Sequence, residues 1–488
     1  MTTINSTPLL VKRMGPALVP DRSRVLMRPF RPSTDDIARR IAARTIALPE
    51  DEAARVLGQV LGEFASRHER VDAFFRKRFE QVKIYLEPGV QLSEERQMLI
   101  GAYFTHEYSV ESAALFNPSI VPHPDQSGLP QGSLRFILSL RATGEGHISS
   151  ITFRTGTISA QTSIALEPPA PYLTEPERAP NVAYAKGLFT HKLEEAGVQN
   201  DFCRRVLDKL HEDFTLKELR AVLLASGLAD IPDAKASRAA RGILLLAESN
   251  YEVNFAPDSL ISQRVLFPSA PSQSNGIEDA RFVRFQNGNG SFKYYATYTA
   301  YDGKITMPQL LETPDFLNFK FSMLNGPAVQ NKGMALFPRK INGQYVMLSR
   351  QDDENLLIMF SNNLHLWSEP KPLAAPAQPW EFIKIGNCGS PIETEAGWLA
   401  LSHGVGAMRK YCLGALLLDL NDPTRVVRRL REPLLCPNEE EREGYVPNVV
   451  YTCGALRHGR ALIIPYAMSD SATRFATIPL DDLLAAMD

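Results

Sequence analysis

The sequence predicts a mainly β protein with two α-helical additions. From Asn254 to the end, short apolar runs alternate with turns rich in Gly, Asn, Asp and Pro, a pattern typical of a propeller or a large sandwich. Apolar residues recur at helical spacing between about Ser33 and Phe79, and helical stripes return between about Glu175 and Leu246. No exact repeat is visible, so the pattern indicates a repetitive β region without fixing its architecture.

Length and composition are those of an ordinary globular protein. The chain has 488 residues, of which 44% are hydrophobic and 22% charged, and its formal net charge is −2. This charge gives no electrostatic case for nucleic acid or an anionic membrane as a partner. No apolar run reaches the length of a membrane span, and the N-terminus lacks the pattern of a signal peptide. We therefore expect a cytoplasmic protein.

The cysteines are scattered and form no Cys-x-x-Cys pair: Cys203, Cys388, Cys412, Cys436 and Cys453. We expect them to be reduced and mostly buried, rather than disulfides or zinc ligands. Because no set of metal ligands clusters in the sequence, we also expect no metal.

The first helical addition has two recognisable helix starts. Ser33-Thr34-Asp35-Asp36 and Ser93-Glu94-Glu95-Arg96 each combine a capping side chain with acids in the first turn. Residues 1–29 are mixed and turn-rich. We predict a mainly helical N-terminal region over residues 1–112 and a β domain over residues 113–488, with a helical insertion at about 175–246.

Strand-like runs bounded by turn residues carry the β prediction. They are Arg135–Arg141, Ile148–Phe153, Tyr294–Tyr301, Tyr345–Arg350, Leu356–Phe360, Trp398–Ser402, Ala415–Leu420 and Ala461–Met468. The last segment, Leu480–Met487, is predicted to be a short helix.

The functional argument starts from Ser274–Arg281, which reads Ser-Asn-Gly-Ile-Glu-Asp-Ala-Arg. It places a turn signal, two adjacent carboxylates and an arginine at the start of an apolar run. Side chains alternate along a strand, so we expect one carboxylate to hold an ion pair while the other faces a cleft, where it can act as an acid or base. A surface turn with an Arg–Asp ion pair explains the same octapeptide.

A second group of polar residues lies in stretches that are otherwise apolar or rich in glycine: Arg141, Lys332, Lys384, His403 and Tyr411. Two lysines, an arginine, a histidine and a tyrosine on neighbouring loops would suit an oxyanion such as phosphate. Each also has a simpler explanation, since a loop cation is commonly solvated and a histidine among small residues can belong to the core.

In order along the chain, these motifs resemble glycoside hydrolase family 130, the β-mannoside phosphorylases and related mannosidases. Gly276-Ile277-Glu278-Asp279-Ala280-Arg281 is similar to the family's Gly-x-Glu-Asp-Pro-Arg motif. Further matches follow in the family's order at Lys332–Pro338, Ile385–Leu399, His403–Val405, Tyr411–Asp419, Glu441–Val450 and Tyr466–Asp470. The resemblance covers roughly residues 113–488 apart from the insertion.

The resemblance implies a five-bladed β-propeller and inverting phosphorolysis of β-mannosides. Asp279 would be the general acid, acting through a hydroxyl of the mannosyl unit while phosphate attacks the opposite face and gives α-mannose 1-phosphate. One positioned acid and an external nucleophile suffice for this chemistry. Phosphate is then a co-substrate, and no cofactor is expected.

The resemblance also assigns the contacts with each substrate. Phosphate would be held by Arg141, Lys332, Lys384, His403 and Tyr411, and the sugar would be contacted by Asn117, Glu278, Arg281, Glu441 and Asp470. The expected substrate is a β-manno-oligosaccharide, with β-1,2 linkage favoured.

The sequence departs from the family pattern in places. Ala280 replaces the usual proline, Gly333 an aspartate and Ser402 an aromatic residue. The helical additions lie outside the common propeller, and we expect them to shape acceptor access or to mediate formation of a homo-oligomer. Hydrolysis of β-mannosides remains an alternative, as does a non-catalytic glycan-binding propeller.

Overall fold

The computed structural model of the protein describes residues 11–179, 182–195, 197, 199–226 and 234–488, the side chains of 234–238 excepted. Part of the predicted insertion therefore lies outside the described residues. Within them the protein is mainly β with two groups of helices. No helix in this part of the chain is long and apolar enough to cross a membrane.

The N-terminal segment contains helices between short strands. Its elements are β1 (Lys12–Leu18), β2 (Val25–Pro29), α1 (Asp35–Ile46), α2 (Glu50–Phe64), α3 (Val71–Val82), α4 (Glu94–Tyr103) and β3 (Thr105–Ser109). The predicted helix starts are confirmed: Thr34 accepts a hydrogen bond from the Ile37 amide at 3.3 Å and Ser93 from the Arg96 amide at 3.2 Å.

The turn-rich description of residues 1–29 missed two strands. β2 pairs with β3, and β1 reaches the far end of the chain, where Lys12 lies opposite Thr477. Pairing with so distant a partner leaves no local signal in the sequence. The boundary at residue 112 stays a prediction, with β1 reaching across it.

The middle of the chain contains the helical insertion. Before it come β4 (Ala114–Pro122), β5 (Leu134–Thr143), β6 (Ser149–Ile158) and β7 (Ile164–Leu166). Then follow β8 (Glu177–Arg178), β9 (Ala183–Ala185), α5 (Lys186–Glu195), α6 (Asp201–Asp208), β10 (Asp213–Thr215), α7 (Leu216–Ala225), α8 (Ala234–Glu248), β11 (Tyr251–Asn254) and β12 (Val265–Leu266).

The regular elements in the rest of the chain are almost all strands, separated by turns and loops. It contains β13 (Gly276–Gln286), β14 (Phe292–Tyr301), β15 (Thr306–Thr313), β16 (Asn318–Met323), β17 (Ala335–Leu336), β18 (Tyr345–Ser349), β19 (Leu356–Ser361), β20 (Pro370–Ala374) and β21 (Lys384–Asn387). It ends with β22 (Ile392–Thr394), β23 (Gly397–Val405), β24 (Tyr411–Leu418), β25 (Val426–Arg429), β26 (Val450–Tyr451), β27 (Leu456–His458), β28 (Ala461–Met468), β29 (Ala472–Pro479) and α9 (Leu480–Ala485).

The larger sheets are built from antiparallel neighbours. Sheet 1 is β4-β5-β6 with β7 and β12 on β6, and sheet 2 is β13-β14-β15-β16-β11-β8; a single parallel pairing of Gly276 with Ser149 joins the two. Sheet 3 is β17-β18-β19-β20, sheet 4 is β21-β23-β24-β25 with β22, and sheet 5 is β1-β29-β28-β26 with β27. The insertion helices α5–α8 lie between β8 and β11, at the far edge of sheet 2.

Apolar clusters join each sheet to the next. Sheets 1 and 2 share a cluster with Phe153 and Phe282, sheets 2 and 3 one with Tyr295 and Met347, sheets 3 and 4 one with Ile358 and Trp398, sheets 4 and 5 one with Leu417 and Ile464, and sheets 5 and 1 one with Phe475 and Phe136. The last of these brings the two ends of the β region together.

The cysteine prediction is wrong in one respect, because Cys412 and Cys436 form a disulfide with a Cα–Cα distance of 4.5 Å. Leu413 and Leu435 form an antiparallel β-bridge, which brings the adjacent Cys412 and Cys436 together. The spacing of the cysteines in the sequence does not reveal this pairing. Cys388 and Cys453 are free thiols and, like Cys203, they are buried.

Candidate functional site

Asp279 lies on an irregular part of β13. The register with β14 shifts between Glu278 and Arg281, and Asp279 has a φ of 54°, in the left-handed region. A β-bulge of this kind redirects side chains. Glu278 and Asp279 therefore both reach Arg141, with Nη2 donating to Glu278 at 2.7 Å and Nη1 to Asp279 at 3.2 Å. The expectation that the two carboxylates point apart is corrected, because the bulge breaks the alternation.

A second bulge faces the first. The register of β4 with β5 shifts between Phe116 and Ser119, and Asn117 has a φ of 47°. Its Nδ2 donates to Oδ1 of Asp279 at 2.7 Å, while its own Oδ1 is buried and has no hydrogen-bond partner in the described structure. This unpaired acceptor is suited to a sugar hydroxyl.

Cations set the protonation of Asp279, which is 7% exposed. Burial raises the pKa of a carboxylate, but here Arg141 first, then Arg281 and Lys332, outweigh burial. Together with the bond from Asn117 they lower the pKa of Asp279 to about 2. Both hydrogen bonds to this carboxylate from the described residues go to Oδ1, so Oδ2 is left for a ligand.

Arg281 fixes the main chain of the bulge. Its Nη1 donates to the carbonyl oxygen of Asp279 at 3.0 Å, and its Nη2 donates to the hydroxyl of Tyr451 at 2.6 Å. Arg281 therefore orients the segment that carries the Asp279 carboxylate through a bond to its backbone. The cation still contributes to the low pKa of Asp279.

His403, one of the predicted phosphate ligands, is buried and uncharged and hydrogen-bonds to Arg350. His403 is 1% exposed, its Nδ1 donates to the carbonyl of Asn387 at 3.2 Å, and its Nε2 accepts from Nη1 of Arg350 at 3.3 Å. Burial, followed by the charges of Arg350 and Arg281, holds the pKa of His403 well below its usual value. With both ring nitrogens occupied, His403 orients Arg350 instead of offering its own proton.

Arg350 is the residue that the sequence reasoning missed. Its Nε donates to the carbonyl of Lys332 at 3.3 Å, and its Nη2 lies 3.4 Å from Asp353. Asp353 also pairs with Lys384 at 2.8 Å. One arginine therefore connects three of the predicted phosphate-binding segments, and its position directly after the strand Tyr345–Ser349 was the available signal.

The fifth predicted phosphate residue, Tyr411, stacks on His403 with ring centroids 5.9 Å apart. Tyr411 begins β24, which pairs with the strand that carries His403. Four members of the predicted basic group are thus connected through Arg350, directly or through Asp353 and His403: Lys332, Lys384, His403 and Tyr411. The fifth, Arg141, lies beside Asp279, whose pKa the charge of Lys332 also lowers.

Asp470 is a second carboxylate of the site. Burial and the neighbouring charge of Asp279 raise the pKa of Asp470 to about 6, although Arg141, Arg409 and Lys332 act in the opposite direction. Its φ is 51°. Two nearby carboxylates whose pKa values are pushed apart are typical of acid–base sites.

Glu441 is used differently from the prediction. Its Oε1 accepts from Arg13 at 2.9 Å and from Tyr466 at 2.6 Å, and its Oε2 accepts from Arg13 at 3.0 Å and from the Asn438 amide at 3.2 Å. These bonds tie Arg13 of β1 and Tyr466 of β28 to the segment that carries Glu441. A sugar hydroxyl would find both oxygens occupied, so this geometry argues against a substrate contact.

No group of three or more His, Cys, Asp or Glu side chains in the described ranges is placed to hold a metal ion.

Comparison with known proteins finds a matching family profile, similar sequences and a similar solved structure. The sequence profile described as beta-1,4-mannooligosaccharide phosphorylase, that of glycoside hydrolase family 130, matches residues 235–488. Two proteins of Thermoanaerobacter sp. (strain X514) are similar. A 1,2-beta-oligomannan phosphorylase is 34% identical over 231 residues (46% of this chain, 75% of that one), and a beta-1,2-mannobiose phosphorylase is 35% identical over 227 residues (44% and 70%). The solved structure of a Listeria innocua beta-1,2-mannobiose phosphorylase with its mannobiose aligns with a TM-score of 0.46 and 22% identity, covering 78% of this chain and 92% of that one.

These sequence matches define the class: the protein is an enzyme whose named relatives are mannoside phosphorylases. The profile spans more than half of the chain, and the chain belongs to glycoside hydrolase family 130.

Proposed function

We propose that the protein is an inverting β-mannoside phosphorylase that cleaves, or in reverse makes, β-1,2-linked manno-oligosaccharides. The observation that carries this proposal is that Asp279 lies next to several cations. A carboxylate with an open Oδ2 lies beside Arg141 and Lys332, and Lys332 leads on to Arg350 and its supports. Such a site can hold an acid and an oxyanion side by side.

The reaction breaks the bond between the anomeric carbon and the leaving oxygen and forms one from that carbon to a phosphate oxygen. Asp279 gives its proton, through a mannosyl hydroxyl, to the leaving oxygen. The proton of the attacking phosphate replaces it, so charge and protons balance. Attack from the opposite face turns a β-mannoside into α-mannose 1-phosphate, with no metal required.

The cations around Asp279 keep it ionised at neutral pH, because they lower its pKa to about 2. A general acid must carry its proton when the bond breaks. Phosphate bound beside Lys332 would counter the cationic field that lowers the pKa of Asp279. The acid is therefore loaded as phosphate binds, which couples proton donation to the presence of the nucleophile.

The same proposal includes a five-bladed propeller. Its support is that five apolar clusters join sheets 1 to 5 in succession and join sheet 5 back to sheet 1. The site residues lie at strand ends or bulges of several of these sheets, as is usual where loops converge on one end of a propeller.

Linkage is the finer part of the proposal. The two Thermoanaerobacter relatives are named for β-1,2 linkages, whereas the family profile is named for a β-1,4 activity. We favour β-1,2-linked manno-oligosaccharides because these two relatives are named for that linkage. The acceptor sugar is identified by the assay below.

Hydrolysis is the second candidate, and Asp470 is the observation that favours it. An inverting hydrolase needs a carboxylate that activates water opposite the acid. Asp470 has a pKa of about 6 and so is mostly ionised at neutral pH. The cations retained around Arg350 favour phosphate over water as the nucleophile.

The test is incubation with α-mannose 1-phosphate and a panel of acceptors (mannose, glucose, N-acetylglucosamine, fructose and β-1,2-mannobiose), measuring released phosphate. Release with β-1,2-mannobiose or mannose supports phosphorolysis and identifies the acceptor, and nuclear magnetic resonance of the product identifies the linkage. Cleavage of β-1,2-mannobiose to free mannose at the same rate with and without phosphate would reject phosphorolysis in favour of hydrolysis.

A further inference from the structure

A cavity of about 610 Å³ lies between the N-terminal helices and the β region, away from the site described above. Its walls come from β2, α3 and the segments 173–177 and 256–263, with no residue from the Asp279 or Arg350 groups. Its volume falls within the range of small-molecule sites.

Arg78, on α3, lines this cavity and is 7% exposed. Its Nη1 donates to Oε1 of Gln81 at 2.5 Å, while its Nε and Nη2 are covered and have no hydrogen-bond partner among the residues that the structure describes. A guanidinium carries five N–H donors. A buried guanidinium with unused N–H donors is energetically unfavourable, and a bound anion would accept hydrogen bonds from them.

The other cations of the cavity wall already have acidic partners. Arg28 pairs with Glu175, Lys77 with Glu177 at 3.2 Å and Arg70 with Asp258 at 3.4 Å. Arg78 has no such carboxylate among the described residues.

The surroundings of Arg78 add to its positive field. Burial first, and then the charges of Arg31 and Arg28, lower the pKa of Arg78 to about 10. At neutral pH the side chain is therefore still charged. Arg78 is thus a cation close to Arg31 and Arg28, with no carboxylate paired to it among the described residues, and it lines a cavity whose volume can admit an anion.

We propose that this cavity binds a small metabolite bearing a phosphate or carboxylate group, with Arg78 as the principal ligand of the oxyanion. The planar guanidinium fork matches both groups. The cavity exceeds the needs of a bare ion, so an organic body attached to the anion would fill the rest. Because the walls join the helical region to the β region, the bound anion would hold the two together.

The first experiment counts phosphate sites by equilibrium dialysis with radiolabelled inorganic phosphate. Wild-type protein is expected to bind two per chain. Arg78→Gln should weaken one of them on the order of tenfold or more, and Lys384→Met should weaken the other. Arg76→Gln is the matched control, since Arg76 is on the same helix, pairs with Glu94 and does not line the cavity.

Malonate is the second probe and separates the two sources of the anion. Displacement of the Arg78-dependent phosphate by malonate points to a carboxylate ligand, and its failure points to a phosphorylated one. If neither probe binds in a way that Arg78→Gln changes, the inference is overturned, while the Lys384-dependent site still supports the proposed function. If wild-type protein binds phosphate at the Arg78-dependent site but Lys384→Met changes no phosphate binding, the proposed function is contradicted instead.

A stability measurement guards against a purely structural arginine. Without added anion, Arg78→Met should unfold at the same urea concentration as wild type or higher, because it removes a buried charge that lacks a partner. Added phosphate should then stabilise wild type more than the variant. A strongly destabilised Arg78→Met together with equal anion effects would reject the proposal.

Discussion

Replacing Asp279 by asparagine tests the electrostatics of the site and its chemistry together. The folded structure lowers the pKa of Asp279 from 3.8 to about 2. A depressed carboxyl pKa contributes stability above the unfolded pKa and loses it as the pH falls through the folded one. Taking each pKa unit as about 1.4 kcal/mol, the ionised carboxylate stabilises the fold by about 2 kcal/mol at pH 7. Asp279→Asn should lose that amount, and roughly half the difference should remain at pH 3.

Turnover should respond separately from stability. Asparagine cannot donate the proton, so phosphate-dependent cleavage should fall by about 10²–10⁴-fold. The assays are urea unfolding at pH 7, 5 and 3 and release of α-mannose 1-phosphate under conditions where the variant is folded. Asp482→Asn, an exposed position on α9, is the control and should change neither. Unchanged stability at pH 7 would refute the electrostatic argument, and near-normal turnover would refute the general-acid role.

The remaining predictions concern other parts of the molecule. The pKa of Asp470 is raised from 3.8 to about 6, so its charge destabilises the fold as the pH rises through that window. In urea unfolding, Asp470→Asn should raise the free energy of unfolding by about 3 kcal/mol at pH 7 and leave it unchanged at pH 3. A lower free energy of unfolding at pH 7 would contradict this. Arg350→Met should raise KM for phosphate by on the order of tenfold or more with a smaller change in KM for the sugar, and steady-state kinetics showing equal changes would remove Arg350 from the phosphate site. Reducing the Cys412–Cys436 disulfide, which closes a loop of 24 residues, should lower stability by about 3 kcal/mol; the double Cys→Ala variant should be insensitive to reductant, and equal unfolding curves for oxidised and reduced wild type would count against the bond.

The sequence was most informative where the signal is local. The starts of α1 and α4 depend on one capping side chain each, and the strands before Asp302-Gly303 and after Asn342-Gly343 depend on turn residues beside them. The pairing of β1 with β29 and the disulfide at Cys412 depend instead on partners brought together by the whole fold. Contacts of this kind carry no spacing rule that a single sequence displays.

The candidate site was predicted from residue types and from the resemblance to glycoside hydrolase family 130. The sequence singled out Asp279 and the basic residues such as Lys332. It could not show that the ring of His403 is fully bonded, nor that Glu441 is held by Arg13, because both facts follow from neighbours distant in sequence. Arg350 was overlooked for the same reason, since only the folded protein shows how many segments one guanidinium connects.

The site residues also share a backbone conformation that alternation along a strand would not predict. Asn117, Asp279 and Asp470 all have φ near +50°, and Asn331, next to Lys332, has a φ of 61°. Asn and Asp are the residues other than glycine that enter the left-handed region most readily. The same short side chains therefore supply the hydrogen-bonding groups and permit the bulges at Asn117 and Asp279 and the turn at Asp470. A longer acid such as glutamate at 279 would keep the charge yet lose that conformational advantage, so the choice of aspartate follows from the backbone as much as from the chemistry.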